Sequence, residues 1–296
     1  RGVIIAGPEF GVMASGLQGI GRMMEVPELM SCISMTLGRN LHLEGLKILV
    51  SAGGVQENID PVRVLTNKSS GKMGYALAES ARDQGAEVTL VSAPTSLKAP
   101  FGIKLIEVVS SDEMHQVLLS ESKSSDVLIM AAAVSDWKPK TPLLDKIKKE
   151  DLESWNLELI KTPDIISQIN HKKLFKIGFA AETSNLKENA LKKLKAKQLH
   201  MIVANDVTKD NVGFGHDTNK ISIIDTNENI QDFPLMSKYD TDYADAKKIT
   251  LKAFDKGLLV VPAGGNVVRI VPPLVISRRE INILLNKLNS ISVLVQ

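Results

Sequence analysis

Arg63, Asn67 and Lys72 fall within ten positions, inside the stretch Asn58-Ile-Asp-Pro-Val-Arg-Val-Leu-Thr-Asn-Lys-Ser-Ser-Gly-Lys-Met-Gly74. Cations, an amide and a Ser-Ser-Gly run opening a helix suit an anion, because backbone N–H groups at a helix N-terminus favour negative charge. The stretch is not a Walker A loop, since Thr66 stands where the first Gly of GxxxxGK(S/T) belongs, and it is not GxGxxG. It implies phosphate near residues 53–71 without a standard nucleotide motif. The alternative is a long Asn/Ser turn, but polar groups at strand ends mark sites. Two later segments have the same setting, Ala131-Ala-Ala-Val-Ser-Asp-Trp-Lys-Pro139 and Gly178-Phe-Ala-Ala-Glu-Thr183. Each of the three follows an apolar run that reads as a buried strand. Each is therefore a loop at a strand's carboxyl end, where open α/β sheets bind ligands.

Asp136 to Lys149 carries Trp137, Pro139, Pro142 and the lysines Lys138, Lys140, Lys146, Lys148 and Lys149. Composition leaves two readings open, a solvated charge run or a basic loop folding over a polyphosphate. Lys193 and Lys197 share one helix face, and cations near a helix C-terminus suit its dipole. On spacing alone that is a stabilised surface helix. Phe179, at a strand's end, reads as core rather than as a ligand stack. The histidines are scattered, and HExxH, CxxC and GxSxG are all missing, which argues against a zinc site or a serine triad.

The elements that must position these residues alternate. Strands are predicted at 46–52, 87–92, 103–109, 126–134, 175–180 and 200–204, with a late edge strand at 221–225. Helices are predicted at 27–35, at 72–84 (capped by Ser70, stopped by Gly85), after a cap at Ser111, from Thr162-Pro163 (Ile165, Ile166 and Ile169 apolar) and at 185–198. Residues 1–45 show no clear strand period. Strands alternating with helices imply right-handed crossovers and an α/β, doubly wound, mostly parallel sheet with helices on both faces.

The totals bound the function. The chain has 296 residues, a net charge of +2, 44% hydrophobic and 24% charged residues, so no global field points to nucleic acid or to an anionic membrane. Cys32 is the single cysteine, which rules out an internal disulfide and fits a reducing, cytoplasmic setting. No apolar run reaches membrane-spanning length, no signal peptide is evident, and a first residue other than Met suggests a fragment.

From about Leu46 to about Ser237 the chain resembles phosphopantothenoylcysteine synthetase, the ligase half of the bifunctional bacterial coenzyme A biosynthesis flavoprotein. The resemblance rests on IDPVR with N-x-SSGKMG, AAAVSDW-K-P, KIKK, TPDII, GFAAET, K-x-x-x-K and ANDV, in that order. It implies a Rossmann-like, usually dimeric fold. It implies a ligase that activates 4′-phosphopantothenate with CTP as an acyl-cytidylate and then joins it to cysteine. By the same resemblance Asn67 contacts the acyl-cytidylate, Arg63 stands nearby, and Lys146 is a flexible-loop lysine needed for catalysis. The backbone of Met130, Ala131 and Ala132, with Asp136, lines the nucleotide site. Pro163, Asp164, Ile165 and Ile166 read the cytosine edge, Phe179 packs on the nucleotide, and Lys193 and Lys197 hold the triphosphate. Magnesium is expected on the phosphate oxygens rather than in a protein cage.

Three regions follow: 1–45, 46–250 as the ligase domain, and 251–296. Gly11-Val-Met-Ala-Ser-Gly16 and Gly19-Ile-Gly-Arg-Met23 resemble the substrate clamp of the FMN-dependent decarboxylase half. Ser15 stands where that clamp has its proton-donating cysteine, and a hydroxyl is a far weaker acid than a thiol. No decarboxylase activity is expected, and FMN only where a flavin-binding domain is present. Cys32 lies outside the clamp and reads as a small apolar residue. Gly257 to Leu274 is similar to the C-terminal tail of PLP-dependent aminotransferases, with Arg269 at the carboxylate-clamping position; it is expected to be a loosely attached remnant and an aggregation risk. The competing readings are a dinucleotide-binding reductase, opposed by the missing GxGxxG, and a non-catalytic remnant.

Overall fold

The structure, a computed structural model, describes residues 5–13, 15–37, 42–148, 153–182, 185–206, 218–237, 260–262 and 268–270. Lys149, Thr183, Val207 and most of the 251–296 tail, with its expected loose attachment, lie outside the described residues. In chain order the first elements are β1 (Glu9–Val12), β2 (Gln18–Arg22), α1 (Val26–Leu37), β3 (Lys47–Ala52), β4 (Gln56–Asn58), β5 (Val64–Thr66) and α2 (Lys72–Asp83). There follow β6 (Glu87–Ser92), β7 (Lys104–Glu107), α3 (Ser111–Glu121), β8 (Val127–Met130), β9 (Trp137–Pro139), β10 (Leu159–Lys161) and α4 (Ile165–Gln168). The last are β11 (Phe175–Glu182), α5 (Leu186–Ala196), β12 (Met201–Asp206), β13 (Thr218–Asp225), β14 (Ile230–Ser237), β15 (Val260–Pro262) and β16 (Val268–Ile270).

Eight strands form one sheet in the order β14-β13-β12-β11-β8-β3-β6-β7. From β12 to β7 every pairing is parallel, and β13 runs antiparallel to β12. Side chains alternate across the sheet as the strand period demands. On β3, Ile48, Val50 and Ala52 meet Tyr75, Ala78 and Ala81 of α2, while Leu49 turns to the opposite cluster. That cluster takes Met114 and Leu118 from α3, Ile165 and Ile166 from α4, and Ala190 and Leu194 from α5. Leu49, Leu90 and Leu128 are fully buried, each worth on the order of 1.5–3 kcal/mol. The arrangement is Rossmann-like α/β, doubly wound and mostly parallel, with helices on both faces.

Several local expectations are corrected. Gly71, not Ser70, takes the cap position of α2, at φ 76° and with no side-chain hydrogen bond. A Cβ there would meet Thr95 Cγ2 at 2.6 Å. Ser110, not Ser111, caps α3 by accepting from Glu113 N at 3.2 Å; Ser111 N donates instead to buried Glu57 at 2.9 Å. The apolar run 126–134 is not one strand. β8 stops at Met130, and Ala133 leaves to bridge Gly54. The 221–225 segment is not at the edge, because β14 covers β13. Residues 1–45 contain an antiparallel pair, β1 with β2. The helix opening at Thr162-Pro163 is the single turn α4.

The chain divides into two units, Arg1–Leu235 and Met236–Gln296. Within the second, β15 and β16 pair antiparallel. Among the described residues no helix is long and apolar enough to cross a membrane.

Candidate active site

A cavity of about 400 Å³ opens at the carboxyl end of β8 and beside the middle of β11. β11 continues to Glu182, so residues 178–182 are strand rather than the expected loop. Met130 and Ala132 line it from β8 and the residues after it, and Gly178 and Phe179 from β11. Ser51, fully buried on β3, fixes the first pair: its Oγ donates to Met130 Sδ at 3.3 Å and accepts from Ala132 N at 3.1 Å. Ala131, between them, packs on the α2 side of the sheet. Phe179 is half-buried and does both things, packing against that core while lining the cavity.

The next part of the lining is a backbone knot. Ser135 Oγ donates to Trp137 O at 2.6 Å, and Thr162 Oγ1 donates to Ser135 O at 2.5 Å. Thr162 N donates to Asp136 O at 3.0 Å, and β9 pairs with β10 so that Trp137 faces Lys161 in register. These bonds set Asp136 and Trp137 beside Pro163 and Asp164 in the lining. Pro163 precedes the turn, and Asp164 caps α4, its Oδ1 accepting from Ser167 N at 3.4 Å. Ile165 and Ile166 anchor that turn in the core and also line the cavity.

Charge converges here. Lys161 comes from β10, and Lys193 and Lys197 from α5 and its C-cap. Lys197 Nζ lies 3.0 Å from Asp164 Oδ2. Burial pushes the Asp164 carboxyl up, but the Lys197 ammonium and the Ser167 N–H outweigh it and hold it below the usual carboxylate range. Lys176 is a buried lysine that sequence reasoning missed. Its Nζ donates to Ile166 O (3.4 Å), Asn170 Oδ1 (3.5 Å) and Lys197 O (3.2 Å), tying α4 to the end of α5. Burial pushes its pKa down, against the opposing attraction of Asp164. Ser51 and Ser135 were missed too, since a small hydroxyl at the end of an apolar run carries no signal of its own, and Thr162 was read only as a helix start.

Four expected site residues do not line the cavity, Ala131 on the α2 side of the sheet being the first. Asn67 stands next to it, its Nδ2 donating to Val134 O at 3.2 Å, and Val134 is a lining residue. Arg63 lies on the turn between β4 and β5, and exposed Lys146 on the loop after β9. Neither is among the lining residues. Among the described residues no group of three or more His, Cys, Asp or Glu could hold a metal.

The model of the DNA/pantothenate metabolism flavoprotein C-terminal domain family matches residues 43–250. The chain is 43% identical over 241 residues to the coenzyme A biosynthesis bifunctional protein CoaBC of Bacillus subtilis (strain 168), covering 80% of this chain and 59% of that one. It thus spans less than two thirds of that relative's length. Its fold matches the crystal structure of the C-terminal domain of a CoaBC protein, with a TM-score of 0.57 and 38% identity over 72% of this chain and 95% of that one. The DNA/pantothenate metabolism flavoprotein from Streptococcus pneumoniae matches with a TM-score of 0.57 and 26% identity, covering 71% and 99%. The matched span holds the whole eight-stranded sheet and every residue lining the cavity. The chain belongs to the family of DNA/pantothenate metabolism flavoprotein C-terminal domains.

Proposed function

We propose that the chain is a phosphopantothenate–cysteine ligase of coenzyme A biosynthesis that uses CTP. The observation that carries this reading is the convergence of Lys161, Lys193 and Lys197 on a cavity that Ser135, Asp136, Pro163 and Phe179 also line. A triphosphate calls for several cations. The CoaBC relatives, whose name is that of a coenzyme A biosynthesis bifunctional protein, support the same reading.

In the first step the 4′-phosphopantothenate carboxylate attacks the α-phosphate of CTP. This forms an acyl-cytidylate and releases pyrophosphate. In the second, the cysteine amine attacks the acyl carbon and CMP leaves. Lys193 and Lys197 hold the triphosphate, and the backbone of Met130, Ala131 and Ala132, with Asp136, borders the nucleotide. Pro163, Asp164, Ile165 and Ile166 present the cytosine-reading segment, and Phe179 packs on the nucleotide. Asn67 reaches the intermediate, with Arg63 on the same hairpin. Lys146 supplies positive charge where it builds on phosphorus and on departing pyrophosphate, a preorganised effect of the oxyanion-hole kind. Magnesium enters on the phosphate oxygens, its usual mode with nucleotides. The reading takes the enzyme as a cytoplasmic homodimer with no nucleic-acid partner. It assigns no FMN-dependent decarboxylation to this chain, because Ser15 replaces the thiol acid.

The test is pyrophosphate release with magnesium, 4′-phosphopantothenate and cysteine, comparing CTP with ATP. Release with CTP, together with CMP and phosphopantothenoylcysteine, is expected. A folded sample that releases none with either nucleotide would overturn the reading.

A further inference from the structure

The basic loop after β9 is gripped at one residue. Asp60 sits on the turn between β4 and β5, and its side chain is fully buried. Its Oδ1 accepts from Val62 N at 2.8 Å and from Arg63 N at 2.7 Å. Its Oδ2 accepts from Arg63 Nη1 at 2.6 Å and from Ile147 N at 3.4 Å. The Arg63 guanidinium then donates to Ile147 O, from Nη1 at 3.4 Å and Nη2 at 3.3 Å. Both backbone polar groups of Ile147 are therefore held by one ion pair. Four residues earlier, Leu143 N donates to Ile59 O at 2.9 Å, a second stitch to the same turn.

We propose that Asp60 and Arg63 form a clasp that fixes the loop carrying Lys146, making both of them positioning residues for that lysine. A buried carboxylate is costly unless its lone pairs are filled. Asp60 fills them with three backbone amides and a guanidinium, and one of those amides is 87 residues away on the loop. Half-buried Ile147 is the clasped point, and exposed Lys146 and Lys148 flank it. Leu144, 93% exposed, shows how little else packs there. A loop with few buried contacts opens locally at low cost, so the clasp decides where Lys146 stands. Arg63, by this account, spends its guanidinium on the loop. Arg63 and Asp60 act through Lys146 rather than on the reacting atoms. The functional half of the proposal rests on Lys146 acting at the nucleotide, as the ligase reading has it; the structural half does not.

The experiment pairs limited trypsin digestion with ligase kinetics on the full chain. Trypsin cuts after Lys146 and Lys148, so it reads the loop whether or not the ligase reading holds. Asp60→Asn turns an acceptor toward a donor and breaks the pair with Arg63. Arg63→Lys keeps the charge but loses the two-pronged contact to Ile147 O. Both variants are expected to be cut at the loop about tenfold faster than the parent, with other sites unchanged. Both should lose about ten- to a hundredfold in kcat, with the CTP KM within about threefold, as misplacement of a catalytic group does. Lys146→Gln should lose turnover while Lys148 stays as slowly cut as in the parent. Parental cutting rates in a folded Asp60→Asn or Arg63→Lys sample overturn the clasp. Faster cutting with unchanged turnover overturns the positioning role. Should Asp60→Asn fail to fold by circular dichroism, Arg63→Lys decides alone. Should the parent itself lack ligase turnover, the functional reading fails while the cutting rates still judge the clasp.

Discussion

Asp164 shows how one carboxylate can serve two neighbours. It caps α4 through Ser167 N and holds the Lys197 ammonium at 3.0 Å. Both side chains are partly exposed, so the pair adds little to stability. Its consequence lies in binding, because an incoming phosphate must compete with Asp164 for Lys197. Asp164→Asn keeps the cap, since Asn caps as well as Asp, and releases the lysine. Tripolyphosphate affinity, read by calorimetry at pH 7, should rise about two- to fivefold, the size of a half-exposed pair. The sign with pH follows from the depressed Asp164 pKa. The ion pair is intact above the ordinary carboxylate value of about 3.9 and is lost as pH falls through the lower folded value. Parent and variant therefore keep their difference at pH 5 and converge only in stronger acid. Lower affinity in the variant at pH 7 would sink this competition. The sequence alone could not show it. Lys193 and Lys197 share a helix face, which on spacing reads as surface stabilisation, and only the fold shows that the face meets Asp164. Asp60 was closer to legible: Asp-Pro-Val-Arg is a turn in which the Asp side chain bonds its own following amides, though its reach to Ile147 is tertiary.

At the scale of elements, close approach rather than propensity governs α2. A Cβ on Gly74 would come within 2.5 Å of Ala52 Cβ and 2.9 Å of Ser51 O. In an exposed helix Gly→Ala gains about 0.5–1 kcal/mol. Here the obstacle is backbone of the central strand, which cannot rotate aside, and overpacking costs about 1–3 kcal/mol. Gly74→Ala should therefore be net destabilising by about 1 kcal/mol or more, seen as a lower urea midpoint with an unchanged slope. Because Ser51 fixes Met130 and Ala132, the same displacement should also lower turnover; a raised midpoint would show that α2 can shift freely. Helix and strand identities were readable because hydrophobic period is a local signal. The caps were misplaced by one residue: Ser110 and Ser111 offer equal capping chemistry, while Gly71 displaces Ser70 because the position takes a left-handed φ of 76°. The short strands β4, β5, β9 and β10 carry no period at all, being three residues each. Yet they hold the clasp turn and the backbone knot of the cavity.

On the scale of the whole molecule, the alternation of strands and helices made the doubly wound sheet legible, while the order of its last strands was not. Ile221 to Asp225 has the composition of an edge, and nothing local announces that β14 lies outside it. That outer strand matters to the site. Asp232 on β14 accepts from Ser222 Oγ of β13 at 2.5 Å and lies 3.1 Å from Lys187 Nζ on α5, the helix that carries Lys193. A chain stopped at residue 250 keeps β14 and every lining residue of the cavity. Because the family match ends at residue 250, its CTP-dependent pyrophosphate release should match that of the parent. A chain stopped at residue 229 instead bares β13 as an unpaired edge, a template for aggregation. It also removes the Asp232 tie to α5. Light scattering should rise, and nucleotide affinity should fall through a loosened α5. Equal behaviour of the two truncations would mean that β14 neither guards the sheet nor steadies the lysine helix. Loss of activity on stopping at 250 would place a requirement for the site in the tail itself.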